Sequence, residues 1–325
     1  MFRSDENRNL LSARRIKRAV LPFVTKKINV SPPQSALSFF TNELGYARSE
    51  AQRLIARGRV SRNGAVINDP LEYIEGECEL ICFEPLSRGL KPMFVANDFA
   101  VFDKPSGLRV HPYSRNSPYS LNDEIKHLFG DDANATHRID QETSGLVLVS
   151  RNKESEAVLK RLFSERQIAK RYLALVKGHM EEPLDIQEPL FRHDHPNLLV
   201  SMVVKVHPSG KPSRTLVRPL RYFPEHDMTL VEALPLTGRT HQIRVHLFHV
   251  KHPIVGDPVY GQADEDIVRY IKKEVSAEER LEKSGAIRLL LHAHSLEFDY
   301  RDEHYRIVSE KDFIRECFEA MKTAE

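Results

Sequence analysis

Strand-like segments dominate this chain of 325 residues, and that pattern constrains its fold more than any other feature. "RYLALVKG", "TLVRPLRYF", "MTLVEALPL" and "LHAHSLEFDY" are apolar runs bounded by polar or turn residues, whereas helical spacing occurs only in scattered segments. Strands and helices do not alternate in regular βαβ units. The sequence therefore predicts a mixed α+β fold with a largely antiparallel sheet.

The length exceeds that of one ordinary domain, so we expect more than one. Residues 1–33 are predicted to form a basic, partly helical lead-in that ends at "SPPQS". Residues 34–84 have the pattern of a small, compact α+β unit. Residues 85–92 read as a linker with a proline near each end, and residues 93–325 form the larger unit.

Positive charge is concentrated near the beginning of the chain, although the net charge is only +2. Residues 1–30 contain eight basic and two acidic side chains, and residues 46–64 contain five basic and one acidic. A basic face at one end indicates a polyanionic partner, such as nucleic acid or anionic lipid. A charged face that is merely solvated is the alternative.

The cysteines and the hydropathy pattern indicate a reducing, aqueous compartment. Three cysteines are too few for a disulfide framework or a four-ligand zinc site. No apolar run approaches the ~18 residues that a membrane-spanning helix needs, and the N-terminus lacks the core of a signal peptide. We expect a cytoplasmic protein with no membrane association.

The first unit carries a pattern of two helices followed by a hairpin. "RSEAQRLIARG" is predicted to be a helix with Ser49 as its N-cap, and Asn63-Gly64 predicts a type I′ turn. The segment "RSEAQRLIARGRVSRNG" resembles the alpha-L RNA-binding motif first known from a small-subunit ribosomal protein. Arg53 and Arg57, at i and i+4, share one helix face that is suited to following a phosphate backbone.

"HRIDQETSG", residues 137–145, is the segment whose side chains are best suited to catalysis. Asp140 beside Arg138 forms either a structural ion pair or a functional carboxylate in a loop before an apolar strand. Glu142 suggests a second interpretation, a carboxylate pair for glycoside hydrolysis. Residues i and i+2 of an extended segment point to opposite faces, which argues against that pair.

"LTGRTHQIRVHLFHV", residues 236–250, is a second concentration of polar residues. Arg239 and Arg244 lie close to a glycine turn, where fixed guanidiniums suit the recognition of phosphate or carboxylate. The i, i+3 spacing of three histidines would allow a metal site, but no acidic residue lies nearby and no zinc spacing fits. We therefore predict no metal; the histidines are His246, His249 and His252.

Taken in order, these segments resemble the motifs of the RluA-type pseudouridine synthases across about residues 93–300. The matching segments are "DKPSGLRVHP", "HRIDQETSGLVLVSRN", "KRYLALVKG", "GKPSRT", "LTGRTHQIRVHL" and "HPIVGDPVYG". The resemblance implies an enzyme that isomerises uridine to pseudouridine within RNA, without a cofactor or metal. The base leaves the ribose at nitrogen, turns, and is rejoined through carbon 5. An alpha-L module is a common attachment in this family.

The resemblance also implies three catalytic residues. Asp140 matches the catalytic carboxylate, which either adds to the sugar or assists loss of a proton from it. Arg244 matches the arginine that keeps this carboxylate ionised. Tyr172 matches the tyrosine that stacks on the target base and is a candidate for proton exchange at carbon 5, although a strand tyrosine is most often part of the core.

RNA contacts are implied around this centre. Arg138 matches a residue that in some relatives enters the space vacated by the displaced base. His137 is expected to orient the loop, and further RNA-binding residues are expected at Arg239, His241, Arg53 and Arg57. The RNA is ribosomal or transfer RNA, with ribosomal RNA favoured by the attached module, and we expect a monomer.

The chain departs from the family pattern at a few positions. Ile139 replaces the usual leucine before the aspartate, and Ala47 replaces a frequent serine, which removes a helix cap. Residues 276–287 form a charged insertion to which the sequence assigns no function. Two other hypotheses stay open, a non-catalytic RNA-binding or ribosome-assembly factor and a nucleoside or glycoside hydrolase.

Overall fold

The structure is a computed structural model that describes residues 21–114, 116–192 and 203–322. These residues divide into two compact units. One contains the described residues up to Glu84 together with Tyr113–Pro118, and the other contains Pro85–Pro112 and the residues from Tyr119 onward. The predicted domain boundaries stay a prediction, and residues 1–20 of the lead-in lie outside the described ranges. Within those ranges, no helix has both the length and the apolar character needed to cross a bilayer.

The first unit is a four-stranded sheet, in the order β1-β4-β2-β3, with two short helices. Its strands are β1 (Phe23–Ser35), β2 (Val60–Arg62), β3 (Ala65–Ile67) and β4 (Tyr73–Phe83). Its helices are α1 (Ala36–Ser38), which continues into a π-helical turn at Phe39–Glu43, and α2 (Arg48–Ala56).

The hairpin predicted in this unit is confirmed. Asn63 and Gly64 have φ angles of 50° and 77°, the positive pair that a type I′ turn requires between β2 and β3. Phe40, Ile55 and Ile74 are fully buried and belong to one apolar cluster, which packs the helices against the sheet. Local turn chemistry is sufficient to predict this hairpin.

The first unit contains a strand that the sequence did not reveal, and one local prediction there is wrong. The described part of the lead-in includes strand β1, whose exposed lysines lie along β4, where Lys27 pairs with Glu77 at 2.8 Å. An edge strand with so few buried residues has no apolar alternation to reveal it. The predicted helical part of the lead-in stays a prediction, because residues 1–20 lie outside the described ranges. Ser49 is not the N-cap of α2, which begins at Arg48; Ala47 holds that position without a side-chain cap.

The second unit is built on a ten-stranded, largely antiparallel sheet, and the predicted fold class is confirmed. The path β10-β13-β14-β9-β15-β8-β6-β5 is joined by β16 beside β15 and β7 beside β8, while β11 and β12 form a separate pair. The strands are β5 (Phe94–Val95), β6 (Phe99–Lys104), β7 (Asn134–Ala135), β8 (Ser144–Ser150), β9 (Ala169–Lys177), β10 (Leu184–Ile186), β11 (Leu190–Arg192), β12 (Val204–Val206), β13 (Thr215–Phe223), β14 (Met228–Pro235), β15 (Leu291–Tyr300) and β16 (Glu303–Val308).

Six helices of the described chain accompany this sheet. They are α3 (Leu121–Phe129), α4 (Lys153–Ser164), α5 (Gln242–His249), α6 (Asp264–Ile271), α7 (Ala277–Ser284) and α8 (Phe313–Ala320). The predicted linker contains no helix or strand, but it is held against α3. Glu124 accepts hydrogen bonds from the Ser87 hydroxyl at 2.8 Å and from the Arg88 amide at 2.5 Å. The charged insertion is mostly helix α7.

Strand β8 is buried on both faces, which explains its continuous apolar sequence. Leu146 and Leu148 pack into one apolar cluster, and Val147 and Val149 pack into another on the opposite face. The antiparallel partner of β8 is β6, and its other neighbour, β15, runs parallel to it. The segment "HRIDQETSG" therefore ends at the most buried strand of the sheet.

Gly145 permits the close parallel contact between β8 and β15. Its φ angle is 108°, and a Cβ atom at this position would lie 2.3 Å from the carbonyl oxygen of Ala293. Only glycine fits this backbone and this spacing. The glycine of the motif is thus explained by packing.

We expect Gly145→Ala to destabilise the protein by about 2–4 kcal/mol, because the β8–β15 contact must open. Urea unfolding of the two proteins measures the difference. Gly238→Ala is the matched control, since its methyl group would have no non-neighbouring residue within 4 Å and its φ is not positive. Equal stability of Gly145→Ala and the wild type would contradict this account.

Candidate active site

The segment before β8 is anchored to that strand by its own side chains. The Thr136 hydroxyl donates to the Leu148 carbonyl at 2.9 Å, and the Leu148 amide donates to Nε2 of His137 at 3.0 Å. Burial lowers the pKa of His137 to about 3, so the ring is neutral and able to accept that bond. His137 also stacks on Phe163 at 4.4 Å. These contacts join the loop to β8 and α4 through the His137 ring.

The turn after β6 supports the same loop from its other side. Lys104 is fully buried, and its Nζ donates to the carbonyls of Pro105, Leu108 and Gln141. The Gly107 amide also donates to the Gln141 carbonyl at 2.9 Å. Burial lowers the pKa of Lys104 to about 7, against the opposing effect of nearby carboxylates. The residue after Asp140 is thus held by two donors from the "KPSG" turn.

Asp140 lies against Arg244 in this loop. Nη1 of Arg244 donates to Oδ2 of Asp140 at 3.2 Å, and Nε2 of His241 lies 3.8 Å from the same oxygen. Burial raises the pKa of Asp140, but His241, Arg244 and Arg138 together outweigh it and lower the pKa below its ordinary value. Burial lowers the pKa of His241 to about 4, so His241 is neutral at pH 7 and the fixed charge of Arg244 keeps Asp140 ionised.

Arg244 is itself held by a second carboxylate. Its side chain is 4% exposed, and its Nε and Nη2 each donate to Asp257 at 2.8 Å. Asp257 also accepts from the amides of Val259 and Tyr260 at 2.9 and 3.0 Å. Asp257 is therefore saturated with donors, whereas Arg244 still presents Nη1 to Asp140.

Helix α5 is fixed to the sheet by a buried glutamine. Gln242 donates through Nε2 to the Arg214 carbonyl and the Thr215 hydroxyl, both at 2.9 Å. Its Oε1 accepts from the Thr237 hydroxyl at 2.6 Å and the Arg239 amide at 3.1 Å. The "GKPSRT" and "LTGRTHQ" segments are thereby joined, and the position of Arg244 follows from that junction.

His241 stands at the beginning of α5 in the left-handed region, with a φ angle of 56°. Its Nδ1 lies 2.9 Å from the Tyr260 hydroxyl, which accepts from the Val204 amide at 3.2 Å. Tyr260 thus holds one nitrogen of the ring, and the other, Nε2, lies toward Asp140. A strained backbone at this point is consistent with a functional requirement.

Tyr172 on β9 lines the same cavity. Burial raises its pKa, and the Asp140 carboxylate raises it further, so the hydroxyl stays protonated at neutral pH. Tyr172 pairs with Ala293 of β15 and Ala233 of β14 in the sheet. The tyrosine therefore presents a neutral ring from a rigid central strand.

The cavity has a volume of about 530 Å³ and brings together most of the predicted site. It is lined by Asp140, Tyr172, Arg244, Arg138, His137, Arg239 and His241. Arg53 and Arg57 are exposed on the first unit, at α2 and its C-terminal end. The roles assigned to all these residues stay predictions.

Five cations stand at the rim of the cavity. Arg138, Arg166 and Arg239 are exposed, and Lys170 is half-buried. The fifth, Lys160, is exposed and pairs with a glutamate one turn earlier on α4. In the part of the chain that the structure describes, none of the other four forms an ion pair. Burial lowers the pKa of Lys170, and Arg166 acts in the same direction. Such a surface favours an anion that bridges like charges.

Sequence reasoning missed several residues of this site. Asp257 and Tyr260 lie in "HPIVGDPVYG", a motif that carries the resemblance but predicts no residue roles. Lys104 lies in "DKPSG", which likewise predicts none. Their shared signal is a charged or polar side chain next to a glycine or proline turn, but nothing in the sequence says which partner each one meets.

The two rival chemistries are not favoured by the geometry. Glu142 forms an ion pair with Arg280 at 2.7 Å, so it is neither the partner of Asp140 nor a free loop residue. His246 uses one ring nitrogen on the Thr215 hydroxyl and the other on the Glu188 carbonyl. Among the described residues, no cluster of three or more histidine, cysteine or acidic side chains could hold a metal ion.

Comparisons with known proteins agree with this geometry. The sequence profile of the RNA pseudouridylate synthase family matches residues 98–249. A Helicobacter pylori protein named as an RNA pseudouridine synthase is 38% identical over 289 residues, which cover 89% of this chain and 96% of that protein. The ribosomal large subunit pseudouridine synthase D of Escherichia coli K12 is 34% identical over 230 residues, covering 66% of this chain and 69% of that protein.

A solved structure shares the fold. Human RNA pseudouridylate synthase domain containing 1 superposes with a TM-score of 0.57 and 27% identity. The match covers 72% of this chain and 89% of the human one. Sequence and structure therefore point to the same family.

We expect the pKa of Asp140 to rise in the double variant Arg244→Gln with Asp257→Asn, because the charge and hydrogen bond of Arg244 then no longer oppose burial and only His241 and Arg138 still do. Changing Asp257 together with Arg244 avoids leaving the Asp257 carboxylate buried without its cation. In the wild type the depressed pKa stabilises the native state above about pH 3.9, and this stability is lost as the pH falls through the folded-state pKa.

Carbon-13 NMR titration of the aspartate carboxyls measures the shift. Arg214→Gln is the control, since it breaks an exposed two-bond pair with Asp185 far from this loop in sequence. An Asp140 pKa that is the same in the double variant and the wild type would contradict the electrostatic role of Arg244.

Proposed function

This chain belongs to the RluA-type family of RNA pseudouridine synthases, and we propose that Asp140 is the carboxylate with which it isomerises uridine in ribosomal RNA. The family and its enzymatic activity on RNA follow from the relatives described above. Each of those relatives is named as a synthase, which favours an enzyme over a non-catalytic RNA-binding factor.

One observation carries the assignment of Asp140. Of the two carboxylates on Arg244, Asp257 accepts four hydrogen bonds and is fully buried, whereas Asp140 accepts one from Arg244 and faces the cavity. An ionised carboxylate with free lone pairs is the group that glycosidic cleavage requires, because positive character develops on the anomeric carbon. Asp257 thus holds Arg244 in place, and Arg244 keeps Asp140 ionised.

The reaction balances without an external reagent. The bond from ribose to N1 of uracil breaks, a bond from ribose to carbon 5 forms, and the proton on carbon 5 is lost while N1 gains one. We propose no metal or cofactor for this exchange. The raised pKa of Tyr172 supports a stacking role against the base rather than removal of the carbon 5 proton as a tyrosinate.

The substrate is proposed from the surroundings of the cavity and from the relatives. The cations at its rim suit RNA phosphates, and Arg138 is exposed where a guanidinium can fill the space left by an extruded base. The name of the Escherichia coli relative supports large-subunit ribosomal RNA. Arg53 and Arg57 of the first unit are proposed as further phosphate contacts. We propose that the enzyme acts as a monomer in the cytoplasm.

We expect Asp140→Asn to lower the rate of isomerisation by at least about 10³-fold, because the amide cannot stabilise or attack the anomeric carbon. The measurement is tritium release from ribosomal RNA labelled at carbon 5 of uracil. Asp185→Asn, a change in an exposed ion pair, is the control and should retain wild-type activity. Full activity of Asp140→Asn would refute the proposed mechanism.

We expect Arg166→Gln and Lys170→Gln each to raise KM for RNA. Each should also reduce the slope of the logarithm of the binding constant against the logarithm of salt concentration by about 1, since one phosphate contact is lost. Arg161→Gln is the matched control, because Arg161 is an exposed cation near the same end of α4 but does not line the cavity. Filter binding at several salt concentrations separates the three variants. An unchanged salt slope for Arg166→Gln and Lys170→Gln would show that these rim residues do not contact RNA phosphates.

A further inference from the structure

We propose that Arg280, in the charged insertion, is a positioning residue that fixes the distance between Asp140 and Arg244. The inference rests on the proposed catalytic role of Asp140 and extends it to a segment for which the sequence indicates no function. It assigns that role to the α6–α7 segment, residues 264–284, through one guanidinium and its contacts with two separate loops.

The first contact is with the loop that carries Asp140. Nη2 of Arg280 lies 2.7 Å from Oε2 of Glu142, and the two side chains are 13% and 14% exposed. The main chain of Glu142 is held from the other direction, because its carbonyl accepts from the Ser106 hydroxyl at 2.6 Å. Glu142 therefore links the insertion to the catalytic loop two residues after Asp140.

The second contact is with the turn that holds Arg244. The same Nη2 of Arg280 donates to the carbonyl of Gly256 at 2.9 Å, and the amide of Gly256 donates to the Ser284 carbonyl at 3.0 Å. Gly256 directly precedes Asp257, the residue that holds Arg244 by two bonds. One nitrogen thus joins the segment carrying Asp140 to the segment that places its partner.

The surroundings of Arg280 favour a fixed geometry. Its guanidinium lies 5.4 Å from the centre of the Tyr270 ring on α6, and Tyr270 is close enough to Glu142 for the carboxylate to affect its pKa. Burial and the Glu142 carboxylate raise the pKa of Tyr270, so it remains a donor. Both helices of the α6–α7 segment therefore act on Glu142, and a charge pair this enclosed is costly to break.

The position of this contact suggests a kinetic consequence. Small displacements of a reacting group reduce the rate of the chemical step more than they reduce binding. Arg280 lines no part of the cavity and so makes no contact with a bound base there. Its loss should therefore lower kcat and leave KM nearly unchanged.

The test compares Arg280→Ala with Arg269→Ala in the tritium-release assay. Arg269 joins α6 to α7 through two bonds to Glu279, so its loss weakens the same segment without touching Glu142 or Gly256. We expect Arg280→Ala to lower kcat about tenfold with KM within about threefold of wild type. Arg269→Ala should lower the melting temperature but keep the wild-type kcat.

Two further variants separate positioning from simple stability. Arg280→Lys retains a charge that can reach Glu142 and should recover most of the lost kcat. Glu142→Ala should also lower kcat, and the double alanine variant should be no slower than Arg280→Ala, because both changes remove the Arg280–Glu142 contact. All assays are run well below the melting temperature of each variant.

A wild-type kcat for Arg280→Ala, or additive losses in the double variant, would overturn the positioning role. Asp140→Asn in the same assay distinguishes the two proposals. If it is inactive while Arg280→Ala is fully active, the proposed function stands and this inference fails. If Asp140→Asn is active, the proposed function itself fails.

Discussion

The buried guanidinium of Arg244, shared between two carboxylates, is the interaction on which the arrangement of the site depends. A charge taken out of water is stable only when it is paired and its hydrogen-bond donors are used. Asp257 provides that pairing with two bonds at 2.8 Å. The single bond at 3.2 Å and the charge of Arg244 lower the pKa of Asp140, whose side chain lines the cavity. One carboxylate holds the arginine in place, and the arginine keeps the other ionised.

The elements that hold this pair come from distant parts of the chain. The loop of Asp140 is fixed to β8 by His137 and supported by the turn after Lys104, while α5 is fixed to the sheet by Gln242. Gly145 allows β8 to lie against β15. Rigid strands and buried hydrogen bonds thus support a site built mainly on loops, as precise chemistry requires.

The titratable groups around the cavity share a pattern. His137, His241 and Tyr172 are all neutral at pH 7, because burial disfavours their charged forms. The remaining charges are Asp140, the guanidiniums and the lysines at the rim. Around neutral pH the charge of the site changes chiefly at Lys104, whose pKa burial lowers to about 7. The cationic rim is suited to a polyanion such as RNA.

The sequence by itself determined the strand-rich α+β fold, the Asn63-Gly64 hairpin and the segment that contains Asp140, because alternation, turn chemistry and motif order are local properties. It did not reveal β1, because the exposed lysines of this strand leave no apolar alternation and the strand is defined by its pairing with β4. The tertiary structure alone decided that Arg244 meets both Asp257 and Asp140, and that Arg280 meets Glu142. Ion pairs between residues far apart in the chain depend on packing, which no local pattern encodes.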